Sequence, residues 1–144
     1  MSTLWFDGLL TQVNDAGVYF LPEDDIDELL EAAAVNRFPC LRVNLRDCCD
    51  KHDLLLRLSG VLGFSPHVAS DFAALSVALA GLRMPGTPGL VLLLEDSQVL
   101  RVEAREQFKG AMEALQAVSA DWARQSTPLW SFITLDENAF AALD

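Results

Sequence analysis

A chain of 144 residues, 51% hydrophobic and 22% charged, is long enough to bury a core without disulfide or metal staples and is unlike a disordered polymer. A net charge of −11 argues against nucleic-acid binding, which needs clustered Lys and Arg. No apolar run reaches the ~20 residues of a membrane helix, and the opening Met-Ser-Thr-Leu-Trp-Phe-Asp lacks the basic n-region of a signal peptide, so a cytoplasmic protein is expected.

Taken in chain order, Gly17-Val18-Tyr19-Phe20-Leu21 reads as a short strand, and Pro22 followed by Glu-Asp-Asp opens a helix with acids where the dipole favours them. Ile26, Leu29, Leu30 and Ala33 give that helix an apolar stripe, which leaves its carboxylates as a solvated face. Before Arg37 there is no Lys or Arg, while Asp7, Asp15, Glu23, Asp24, Asp25, Asp27, Glu28 and Glu31 account for most of the charge. Steering of a basic partner is compatible with this field, although the acids are concentrated in the N-terminal segment.

Leu41-Arg42-Val43-Asn44-Leu45 alternates as a half-buried strand does, and a polar turn runs from Asp47 to Asp50. A second helix is expected with Asp53 as its cap, Leu54, Leu55, Leu58, Val61 and Leu62 as its buried face, and Gly63 as its stop. Phe64-Ser65-Pro66-His67 leads to a third helix, capped by Ser70 or Asp71, with Phe72, Leu75, Leu79 and Leu82 on one side and Gly81 near its end. Beyond the Pro85–Gly89 turn, Leu90 to Leu94 has the continuous apolar character of a strand covered on both faces. One long helix is expected around Glu103 to Gln125, on the recurrence of Phe108, Ala111, Met112, Leu115, Val118 and Trp122, and Pro128 admits a last strand, Leu129 to Leu135. Strands alternating with helices imply βαβ units, a mostly parallel sheet and right-handed crossovers.

From Leu41 to Ile133 the order and landmarks resemble the barstar family of ribonuclease inhibitors. Four stretches carry the resemblance: Leu54-Leu55-Leu56 through Leu62-Gly63-Phe64; Asp71-Phe72-Ala73-Ala74-Leu75 through Leu79; Gly89-Leu90-Val91-Leu92-Leu93-Leu94-Glu95-Asp96; and Asp121-Trp122-Ala123 with Pro128-Leu129-Trp130. The resemblance implies a barstar-like α/β fold, a small mostly parallel sheet flanked by helices. Residues 1–144 are read as a single domain, with 1–38 an N-terminal strand-helix extension and 39–135 the core. It further implies a non-catalytic protein that grips a basic, barnase-type ribonuclease with acidic and aromatic residues on the third helix and the loop before it.

Here the sequence departs from the family pattern. That pattern runs aromatic, aromatic or Gly, then Asn-aromatic-Asp-Ala-Leu, then Asp one turn after the first. The loop is instead His67-Val68-Ala69-Ser70, Asp71 takes the Asn position, and Ala73 and Val77 take the two helical acids. Phe72, Ala74 and Leu75 match as packing positions, and Asp121 falls near a further acid of the family. Positions 73 and 77 are i and i+4, so both leave one face of the helix, away from its apolar stripe. Ala73, Ser76, Val77 and Ala80 then make a small, uncharged face, which suits self-association as a homodimer or another protein partner, unless the Ser65–His67 segment covers it.

Two enzyme or metal readings compete with this one. Cys40, Cys48 and Cys49 with His52 form a four-ligand set, but without a Cys-x-x-Cys spacing they read more simply as reduced thiols. Asp47, Glu95, Asp96 and Asp136 all follow strand ends, where acids can hold Mg²⁺, yet polar residues ordinarily terminate strands. No phosphate loop, dinucleotide fingerprint or nucleophile elbow is present, and neither His52 nor His67 stands in the context of a catalytic base. The expectation is a module without cofactor or metal that binds a protein, and not nucleic acid or membrane.

Overall fold

The computed structural model describes residues 16–65, 71–81 and 89–135. In chain order these form β1 (Val18–Pro22), a 3-10 turn (Glu23–Asp25), α1 (Ile26–Val35), β2 (Cys40–Asn44), α2 (Lys51–Leu62), α3 (Phe72–Ala80), β3 (Leu90–Glu95), α4 (Gln98–Glu103), α5 (Arg105–Arg124) and β4 (Leu129–Leu135). The strands make one sheet of order β1-β4-β3-β2, and every pairing is parallel.

This order follows from handedness. Steps from β2 to β3 to β4 move one way across the sheet, so right-handed crossovers place α2 to α5 on one face. The step from β1 to β2 runs the opposite way, so α1 must cross the other face. Two separate cores result. Val43, Leu92, Leu94 and Ile133 pack against α2, α3, α4 and α5, whereas Val91, Leu93, Trp130 and Phe132 pack against Leu29, Ala32 and Ala33 of α1. Residues 90 to 94 of β3 are buried on both faces, and both neighbours of β3 are strands, as its unbroken apolar run predicts.

Two local expectations are corrected, and one element is added. Asp50, not Asp53, caps α2: its carboxylate accepts the Asp53 amide at 2.8 Å. The Asp53 side chain instead takes the Arg57 guanidinium, which also donates to the carbonyls of Asn44 and Arg46 and so ties α2 to the turn after β2. The long helix expected around Glu103 to Gln125 is α5, while the short α4 before it was not expected; the two are parted at Ala104, whose φ of −136° and ψ of 54° are not helical. The acidic run is not wholly solvated, because Asp25 is buried at the end of the 3-10 turn, while Glu23, Asp24, Asp27 and Glu31 are exposed. Gly63 does end α2, in the left-handed conformation with φ 80°, where a side chain would be strained. Leu82 and the last nine residues lie outside the described residues.

Candidate functional site

The third helix is seated by three contacts that its sequence specifies. At the start, the Asp71 carboxylate accepts the Ala74 amide at 2.7 Å, which resolves the choice between Ser70 and Asp71 as cap. In the middle, Leu75 and Leu79 are fully buried, and the Phe72 ring lies so close to α5 that a Cβ on Gly110 would come within 2.9 Å of it. At the end, the Trp122 indole N–H donates to the Leu79 carbonyl across a buried 3.0 Å bond. These contacts fix which way the remaining positions point.

Ala73 and Val77 are exposed, Val77 at 75%, and Ser76 and Ala80 are half-buried beside them. No residue of α3 is charged. The nearby charges are Asp71, whose carboxylate is committed to capping, and Lys51, whose ammonium stands 5.8 Å from the centre of the Phe72 ring. Asp121 precedes Trp122 on α5 and is ion-paired with Arg124 at 2.8 Å. His67 lies outside the described residues, as does the rest of the loop at 66–70.

The cysteines do not gather. Cys40 lies on β2, Cys48 is buried with its Sγ 3.8 Å from the Asp50 carbonyl, and Cys49 is exposed; all three are free thiols. Burial pushes the Cys40 thiol up to about 11, with Glu95 adding to the rise and Arg42 opposing it. Cys48 is raised as well, first by desolvation and then by the Asp53 carboxylate. Among the strand-end acids, Glu95 turns to Arg42, which holds it through bonds of 2.6 and 2.9 Å. Asp47 and Asp96 both line a cavity at the carboxyl edge of the sheet. Asp136 lies outside the described residues, and among those described no three His, Cys, Asp or Glu side chains are placed to hold a metal. Sequence reading missed Arg46, Ser97 and Arg101 in the same cavity wall, because nothing local marks them as neighbours.

A parallel sheet with a bank of helices on one face, one of which presents an exposed outer surface, defines an α/β protein whose candidate site is a surface for contact. Among the described residues no helix is long and apolar enough to cross a membrane. Residues 38–134 match the family described as Barstar (barnase inhibitor), so the chain belongs to the barstar family. The match takes in β2 through nearly all of β4 and begins after β1 and α1. No curated protein matches the sequence.

Proposed function

We propose that this chain is a non-catalytic protein-binding module that uses the outer face of α3, formed by Ala73, Ser76, Val77 and Ala80 with Asp71 and Asp121 nearby, and that it does not tightly inhibit a barnase-type ribonuclease. The observation that carries this is the exposed, uncharged face of α3, with Val77 at 75% exposure where family resemblance calls for a carboxylate. A cationic cleft gains nothing from Ala or Val. Removing one partner of a buried charge pair typically weakens a complex by roughly 2–5 kcal/mol, and two such losses amount to several powers of ten in affinity at ~1.4 kcal/mol per power.

The partner this surface fits is a protein with a neutral, close-approaching patch. Self-association through α3 is the second reading, supported by the same small side chains, which let two helices approach closely. The domain reading goes with it: residues 39–135 are the family core, and 1–38 add β1 at the sheet edge and α1 over the second face. Free thiols at all three cysteines support a reducing, cytoplasmic setting. The experiment is titration of the unmodified chain into a barnase-type ribonuclease assay, alongside light scattering of the chain alone. Absent or micromolar inhibition is expected; nanomolar inhibition overturns the proposal.

A further inference from the structure

The outer face of α3 carries no charge, and Val77, at 75% exposure, is the most exposed large hydrophobic side chain among the described residues. Charges of both signs stand at each end of the helix. At its start, Asp71 holds the Ala74 amide, and the Lys51 ammonium lies 5.8 Å from the centre of the Phe72 ring, with no ion pair to another described residue. At its end, Asp121 precedes Trp122, whose indole bonds the Leu79 carbonyl, and Arg124 takes Asp121 Oδ1 at 2.8 Å.

Charge selects the occupant of this face. A chain of net charge −11 is repelled by its own copy over much of its surface. The exposed acids Glu23, Asp24, Asp27 and Glu31, however, lie on the 3-10 turn and α1, over the opposite face of the sheet from α3. Two copies that meet through α3 keep those acids on the far sides of the pair, where distance and salt screen them. Of the two ways a two-fold axis can pair the helices, the antiparallel one sets the positive start of each helix dipole beside the negative end of the other. It also brings Lys51 of one copy to the end where Asp121 of the other stands, whose Oδ2 is not taken by Arg124.

Resting on the reading of α3 as the contact surface, we infer that its occupant is a second copy of this chain. The two α3 helices pack antiparallel about a two-fold axis, with Val77 of each copy near the axis, Ala73 facing Ala80 of the other, and Lys51 reaching Asp121 of the other. The size of the face sets the strength. Nine residues make a helix face only about 13 Å long, short of the roughly 800 Å² per partner that stable complexes bury. The dimer is therefore weak, with a Kd on the order of 0.1 mM, and it is closed, because an isologous contact leaves no second surface for a third copy.

The test is sedimentation equilibrium of the full chain from about 5 μM to about 1 mM, where mass action carries a dimer of this strength from mostly dissociated to mostly formed. A monomer–dimer equilibrium without larger species is expected. Val77→Asp, at an exposed position that leaves circular dichroism unchanged, should raise Kd by about tenfold or more, since two carboxylates then meet near the axis. Lys51→Glu should weaken the dimer by about threefold or more, as two exposed ion pairs are lost, and Lys51→Glu with Asp121→Lys should restore it, because opposite signs again face each other. A chain that is monomeric at the highest concentration, a dimer indifferent to folded Val77→Asp, or a charge swap that fails to restore association overturns the inference. Monomer throughout, with ribonuclease inhibition absent, overturns this inference alone and leaves α3 to a different protein. Nanomolar ribonuclease inhibition overturns the proposed function whatever the oligomeric state.

Discussion

Trp122 and Trp130 offer a matched pair in which one chemical change has two different consequences. Both are buried, at 5% and 0% exposure, but Trp122 donates its indole N–H to Leu79, whereas Trp130 Nε1 has no hydrogen-bond partner among the described residues. Replacement by Phe removes the second ring in each case, leaving a void worth roughly 1 kcal/mol. At Trp122 it also strips the Leu79 carbonyl of a buried donor, for about 1–2 kcal/mol more. At Trp130 it removes a donor that was already unpaired, and relief of that penalty offsets part of the void. Trp122→Phe is therefore expected to lose about 2–3 kcal/mol, and Trp130→Phe about 1 kcal/mol or less. Urea denaturation followed by far-UV circular dichroism measures both. Equal losses, or a larger loss at Trp130, would show that the bond between α5 and α3 does not hold the helix as described.

Leu75→Ala and Leu115→Ala, both at fully buried positions, should each destabilise by ~2–5 kcal/mol, and denaturation shifts below about 1 kcal/mol at both would contradict the packing of α3 and α5. Asp71→Ala should cost ~0.5–2 kcal/mol while Asp71→Asn stays within a few tenths, because either Asp or Asn accepts the Ala74 amide; equal losses would remove the capping role. Thiol labelling at mildly alkaline pH should show one fast cysteine, Cys49, and two slow ones, with Cys40 reacting faster only as the pH climbs toward about 11. Since the unfolded Cys40 thiol ionises near 9.0 and the folded one near 11, stability should fall as pH rises through that window; stability that is flat there in the parent and in Cys40→Ser alike would argue against the burial of this thiol.

Much of the fold is written in hydrophobic periodicity. The unbroken apolar run of β3 implies cover on both faces, and the three- and four-residue recurrence from Phe108 to Trp122 implies a helix packed along one side, because burial itself imposes those patterns. The break at Ala104 is invisible in the sequence, because alanine is the best helix former, yet here it is non-helical and buried at 6% exposure. The short α4 was missed for a related reason, since six residues hold too few turns to show a stripe. Asp50 and Asp53 are equally good caps by type, so which one sits at the boundary is decided by where the Asp47 turn ends. At the candidate surface, the outward direction of Ala73 and Val77 was legible from their spacing to Leu75 and Leu79. The carboxyl-edge cavity was not, because its wall is drawn from segments around Glu23, Arg46, Asp96 and Thr134 that only the sheet order brings together.

The most direct test of the account restores what α3 lacks. Ala73→Asp with Val77→Asp places two carboxylates on a face that the structure shows to be exposed at both positions. Affinity for a barnase-type ribonuclease, measured at low and at physiological ionic strength, should rise measurably over the unmodified chain, and more at low salt, because the new attraction is between opposite charges that salt screens. An unmodified chain that already inhibits at nanomolar concentration would contradict the account. So would a correctly folded double variant whose affinity is unchanged at both ionic strengths, since the outer face of α3 would then not be where this protein meets such a partner.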